Sequence, residues 1–303
     1  MSAHVREYAA HIPRLAAMPK RLPRSRTLKG DPKLVYYDSA GGHPGEPPIL
    51  LVHGATLRSE DWENIFPRLA TRYRVIAYDA RGHGKSARAA SYPLTGLVAD
   101  CARILREIAK TPAVVIGHSL GGATALVLAA REPALVKALV LEDPWLGRYH
   151  DGVWRKEGFS SLGAIMPKQG APDFARAVGA MPLPTPGPRG ERTVAEVRGF
   201  YSPERLAAYY GAVDPVFVRE LLHPEAEGTA AITDALAALA VPTLLLAADP
   251  RVDSALTEDD IRSLEARGSQ VARFPGQAHR MHGLKPEVFL EALEPFLRKH
   301  RSS

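Results

Sequence analysis

Apolar residues, many of them β-branched, follow one another almost without alternation at Ile49–Val52, Arg74–Tyr78, Ala113–Ile116, Ala138–Asp143 and Val241–Ala247. Runs this short and this continuous predict strands covered on both faces, as in a parallel sheet. Gln270–Phe274 reads as a last strand. Arg26–Lys29 and Lys33–Asp38 read as a hairpin turned at Gly30-Asp31-Pro32. Between the strands the apolar period lengthens to that of a helix: Asp61–Thr71 on Trp62, Ile65, Phe66 and Leu69; Leu94–Lys110; the Ala/Leu-rich stretch ending at Glu132-Pro133; Thr257–Arg267; and Pro286–Lys299. Strands alternating with helices at this spacing predict an α/β protein with a doubly wound, mainly parallel sheet. Its active site is expected at the carboxyl ends of the strands.

The alternation fails between 144 and 240. That segment holds ten prolines, including those of Met181–Pro188, many aromatic residues, short helical stretches and no clear strand. It reads as an insertion that interrupts a core formed by 28–143 and 241–303. Residues 1–27 form a basic N-terminal extension.

The chain of 303 residues carries a net charge of +6, and residues 1–33 supply all of it with eight Lys/Arg against Glu7 and Asp31. The remainder is balanced, so a clustered basic face for nucleic acid is not expected. The one cysteine, Cys101, excludes an internal disulfide and falls at helical apolar spacing, as a buried thiol would. No apolar run has the ~20 residues of a membrane span and no secretory signal is visible, so a cytoplasmic location is expected.

The chemistry centres on Gly117-His118-Ser119-Leu120-Gly121-Gly122, set between a buried strand and a helix. Glycines two residues either side of a serine permit a tight turn that lifts its hydroxyl clear of the sheet at a helix N-terminus. The N–H of Leu120 there is a natural oxyanion donor. Gly84-Lys85-Ser86 is no phosphate loop, because Asp79 stands where the earlier glycine is required.

The Gly-His-Ser-Leu-Gly-Gly stretch resembles the nucleophile elbow of α/β-hydrolase esterases and lipases. The resemblance extends to His53-Gly54-Ala55, to the Asp-x-Arg-Gly-x-Gly-x-Ser turn from Asp79 to Ser86, and to Pro275-Gly276-Gln277-Ala278-His279. It implies Ser119 as nucleophile, His279 as base and the N–H groups of Leu120 and Ala55 as the oxyanion hole. His53, Asp79 and Arg81 would be scaffold, and 144–240 would be the helical cap, or lid, that the family inserts over its active site. His282 is the alternative base; a metal-binding reading of His279 and His282 finds no further ligand spacing. The family's usual acid position, counted from Ala248, is Arg251, with Asp249 two residues short and Asp253 two beyond. Some members carry the acid after the sixth strand, where this chain has Asp143. Asp143 is favoured, with Asp249 and Asp253 as alternatives. The expected activity is cofactor-free, metal-independent hydrolysis of a small or medium, largely apolar carboxylic ester through an acyl-enzyme. Carbon-carbon bond hydrolases, lactonases, thioesterases, perhydrolases and hydrolase-fold receptors share this machinery. The expected partner is a small-molecule substrate, with no nucleic acid and no stable membrane insertion. The oligomeric state is not legible in the sequence.

Overall fold

The computed structural model describes residues 21–147, 155–183, 192–196, 202–223 and 226–300. Most of the basic extension therefore lies outside the described residues, as does part of the 144–240 segment. An eight-stranded sheet organises the rest. In chain order its strands are β1 (Arg26–Leu28), β2 (Leu34–Asp38), β3 (Ile49–Val52), β4 (Val75–Asp79), β5 (Ala113–His118), β6 (Val136–Glu142), β9 (Thr243–Ala247) and β10 (Gln270–Arg273). In space they run β1-β2-β4-β3-β5-β6-β9-β10. All neighbours are parallel except at β2, which pairs antiparallel with β1 and β4. The strand order reverses beside β3, so the loops after β3, β4 and β5 open into one crevice.

Period-2 alternation splits the strands between two cores. Leu50, Val52, Ile76, Tyr78, Val115, Leu139 and Leu141 face one side, packed by the helices Leu94–Ile104 and Leu120–Arg131. Ile49, Leu51, Val75, Ala77, Ile116, Val140 and Leu246 face the other, beneath Trp62, Phe66 and the helix Pro286–Lys299. Cys101 is fully buried in the first core, and burial pushes its thiol up to about 12. The expected capping box is present, with Thr257 and Asp260 each bonding the other's backbone at the start of Glu258–Ala266.

Two expectations need correction. The helix expected over 61–71 is a 3₁₀ turn, Ser59–Asn64, followed by a single α turn, Phe66–Leu69. In a continuous helix Pro67 would be an interior residue, lacking the N–H owed to the Glu63 carbonyl and crowding it with its ring; at the start of a new α turn, where it stands here, that N–H is not needed. The segment between β6 and β9 also contains a two-residue antiparallel ribbon, β7 (Pro182–Leu183) with β8 (Arg192–Thr193). Its described helices are Arg155–Ile165, Phe174–Gly179, Pro203–Tyr210, Pro215–Leu221 and Ala226–Ala238. The last of these packs along Leu120–Arg131.

Candidate active site

Ser119 stands between the end of β5 and the helix Leu120–Arg131 with φ 53° and ψ −118°, a conformation few non-glycine residues adopt. Backbone bonds hold it there: its N–H donates to the carbonyl of Glu142, and its own carbonyl accepts from Ala123 and Trp145. The flanking glycines are required by close packing. A Cβ on Gly117 would lie 2.4 Å from the Gly121 carbonyl oxygen, and one on Gly121 would lie 2.2 Å from that of Val52. As first residue of its helix, Leu120 presents an N–H with no intrahelical acceptor.

The loop after β3 folds over the serine. A Cβ on Gly54 would meet the Ser119 Cβ at 3.3 Å. Two buried histidines brace this loop. His53 Nε2 accepts the N–H of Ala80 and its Nδ1 lies 2.8 Å from the Gly54 carbonyl; His83 Nε2 accepts the N–H of Thr56 and its Nδ1 lies 2.9 Å from the Arg81 carbonyl. An amide can donate only to a bare ring nitrogen, so both imidazoles are neutral with the proton on Nδ1. Burial pushes both pKa values down, that of His83 to about 3. Asp79 accepts from Ser59 and Lys85 and holds the turn after β4. Arg81 makes a two-pronged contact with Asp100.

His279 Nδ1 lies 2.5 Å from Asp143 Oδ2. Asp143 follows β6 directly, is fully buried and has φ 42°. Its other donors are the hydroxyl of Ser254 at 2.5 Å and the N–H of Ala255 at 2.7 Å. Asp249 faces elsewhere: its carboxylate accepts from the N–H and guanidinium of Arg251 and from the N–H of Gly276. The Arg251 bonds hold its carboxyl well below the usual range. It braces the turn leading to His279 and makes no bond to the imidazole. Asp253 lies in the same turn as Asp249, its N–H on the Asp249 carbonyl. His282 is fully enclosed, with Nδ1 on Glu142 and Nε2 on Asp61.

Three buried residues, Asp61, His118 and His282, bring potential ligand atoms within 4.8 Å of one another. They do not suit a cation. Arg280 already occupies Asp61, and both ring nitrogens of His282 face carboxylates as donors. Ser254 and Ala255 carry no motif and could not be found from sequence. Glu142 beside Asp143, with His282 three residues after His279, was a readable pairing.

Beside Leu120 lies a cleft with about 490 Å³ of empty space, part of it open to solvent. Leu97, Trp145, Phe217 and Leu221 line it, with Glu220 as its carboxylate. Tyr92 ties the segment after β6 to the core: its N–H donates to Glu220 and its hydroxyl to Asp214.

This sheet order and serine turn define a hydrolase architecture, and residues 49–292 match the model of the alpha/beta hydrolase family. The chain belongs to that family. It is 30% identical over 273 residues to the proposed carbamate hydrolase RutD of Azorhizobium caulinodans, covering 88% of this chain and 96% of the relative. It is 39% identical over 103 residues to the lipase LipV of Mycobacterium tuberculosis, or 34% of this chain and 39% of the relative. The crystal structure of Cfl2 from Burkholderia cenocepacia superposes with a TM-score of 0.70 at 20% identity, over 92% of this chain and 97% of that one. Among the described residues no helix is long and apolar enough to cross a membrane.

Proposed function

We propose that the protein is a serine hydrolase that cleaves a small or medium, largely apolar carboxylic ester through an acyl-enzyme. The observation that carries this reading is the 2.5 Å contact between His279 Nδ1 and the buried Asp143, set at the same carboxyl end of the sheet as the strained Ser119. An ionised Asp143 fixes the proton on Nδ1 and leaves Nε2 bare to take the Ser119 proton. Ser119 Oγ then attacks the ester carbonyl, and the N–H groups of Leu120 and Ala55 stabilise the oxyanion. The His279 imidazolium returns its proton to the departing alkoxide. Water, deprotonated by the same imidazole, releases the acid and restores the serine.

The apolar cleft beside Leu120 supports an uncharged acyl chain. We take the segment after β6 as the lid over it. The near full-length likeness to RutD favours a second reading, in which the scissile group is a carbamate.

The test is hydrolysis of p-nitrophenyl esters from acetate to laurate, with a p-nitrophenyl N-alkylcarbamate beside them. Serine-dependent turnover of a short or medium ester, lost in Ser119→Ala, is expected. Turnover of the carbamate alone would replace the ester reading with the second one. No loss in Ser119→Ala would overturn both.

A further inference from the structure

Behind His279 lies a second acid–histidine pair that the proposed reaction does not use. Glu142 and Asp143 are consecutive at the end of β6, and each bonds a histidine of the segment that follows β10. Asp143 bonds His279 in the turn after β10, while Glu142 accepts the backbone N–H of His282, in the one-turn helix Met281–Leu284 that follows, at 2.8 Å and lies 2.6 Å from its Nδ1. His282 Nε2 lies 3.0 Å from Asp61, whose other oxygen accepts Arg280 Nε at 2.6 Å. Both ring nitrogens face carboxylate oxygens, and donating to both at once requires an N–H on each, as an imidazolium has.

The groups facing this ring come from every element around it. Glu142 reaches it from β6, Asp61 from the 3₁₀ turn and His118 from β5, with ring centres 5.3 Å apart. Trp62 stacks on it at 4.0 Å and 30°, and Phe289 meets it edge-on. Glu142, Asp61 and His282 are fully buried and Arg280 nearly so. Two cations and two anions alternate, Arg280, Asp61, His282, Glu142, so the charges cancel. The two carboxylates hold the His282 pKa above its ordinary value against burial, whereas burial leaves His118 neutral. His118 also contacts the carbonyl of His279 through Nε2 at 3.2 Å. The backbone of the base is thus gripped at its own carbonyl and again three residues later.

We propose that His282 is a positioning residue: clamped as an imidazolium between Glu142 and Asp61, it fixes the loop that presents His279 and neutralises Glu142 beside the Asp143–His279 pair. Removing the cation leaves an unbalanced buried carboxylate on the residue before Asp143, and its negative field favours the protonated form of His279. This inference rests on the reading of His279 as the base.

The experiment compares wild type, His282→Gln, Glu142→Gln and the double variant, each confirmed folded by circular dichroism. The ionisation of His279 is followed by NMR of histidine-labelled protein, and kcat and KM are measured on p-nitrophenyl butyrate against pH. His282→Gln is expected to raise the His279 pKa by about one unit and to lower kcat roughly ten- to a hundredfold with KM little moved. The double variant, again balanced in charge, returns the titration toward wild type. A His279 titration unmoved or lowered in His282→Gln, or equally displaced in the double variant, overturns the proposal. If His282→Gln does not fold, Glu142→Gln decides: a lowered His279 pKa upholds the charge coupling, and an unchanged or raised one overturns it. A wild type with no serine-dependent turnover refutes the ester reading, while the NMR titration still decides the role of His282.

Discussion

Asp143 and Asp249 are both buried carboxylates near the His279 loop, and their partners separate them. Asp143 spends one oxygen on His279 and Ala255 and the other on Ser254, whereas Asp249 is filled by Arg251 and Gly276. Asp143→Asn is therefore expected to lower kcat on p-nitrophenyl butyrate about 10⁴-fold, because an amide cannot hold the productive tautomer. Asp249→Asn should leave turnover within several-fold of wild type and appear instead as a lower midpoint in urea denaturation. The reverse ranking would transfer the acid role to Asp249. Glu220 makes a further residue-level prediction. A carboxylate lining an apolar cleft disfavours a second anion. An ester whose acyl chain ends in a carboxylate should have a lower kcat/KM than the methyl-ended chain of equal length, and Glu220→Gln should narrow the difference. An unchanged ratio would remove Glu220 from the acyl path.

At the scale of elements, the site depends on how closely the helix Leu120–Arg131 approaches the end of β3. Gly121 leaves no room for a methyl group, since the obstructing atoms are backbone oxygens of Val52 and His53, which cannot rotate away. Gly121→Ala must push the helix off the strand or shift the Gly54 loop. A destabilisation of about 3 kcal/mol and a reduced kcat are expected from urea unfolding and ester kinetics; wild-type stability would mean that the packing is looser than described. The strands, the helix after Ser119 and the Thr257 cap were legible because each follows from local period or local hydrogen bonding. The break at Ile65, just before Phe66-Pro67, was equally local, but the apolar spacing runs straight across it. The ribbon of β7 and β8 was not legible, because two-residue strands have no period to read.

For the molecule as a whole, buried histidines set the response to acid. His83 has a pKa depressed to about 3 by burial and by neighbouring His53, which is also depressed. Unfolded, each would protonate near its ordinary value of about 6.5, so the unfolded chain binds more protons below that pH. Their contribution is complete above about 6.5 and is lost as pH falls toward 3. Asp61, lowered despite burial by Arg280 and His282, adds to the loss as pH falls through its folded pKa. His282 acts oppositely. Its raised pKa contributes stability in acid that is lost as pH rises through that value. Urea midpoints should fall between pH about 6.5 and 3, and His83→Gln should flatten that slope. An unaltered slope would assign the acid loss to other groups.

By itself the sequence determined the family, the alternating architecture and the positions of Ser119 and His279 within their motifs, because contiguous residues encode periodicity, glycine turns and capping. Only tertiary structure brought residue 143 to residue 279 and turned Asp249 toward Arg251, since in the sequence an aspartate after β6 and two misplaced ones after β9 all stood as candidates. The chain Arg280, Asp61, His282 and Glu142 was decided the same way. Its members lie up to 221 residues apart in sequence, and burial among opposite charges arises only when the ends of β5 and β6, the 3₁₀ turn and the His279 loop pack together.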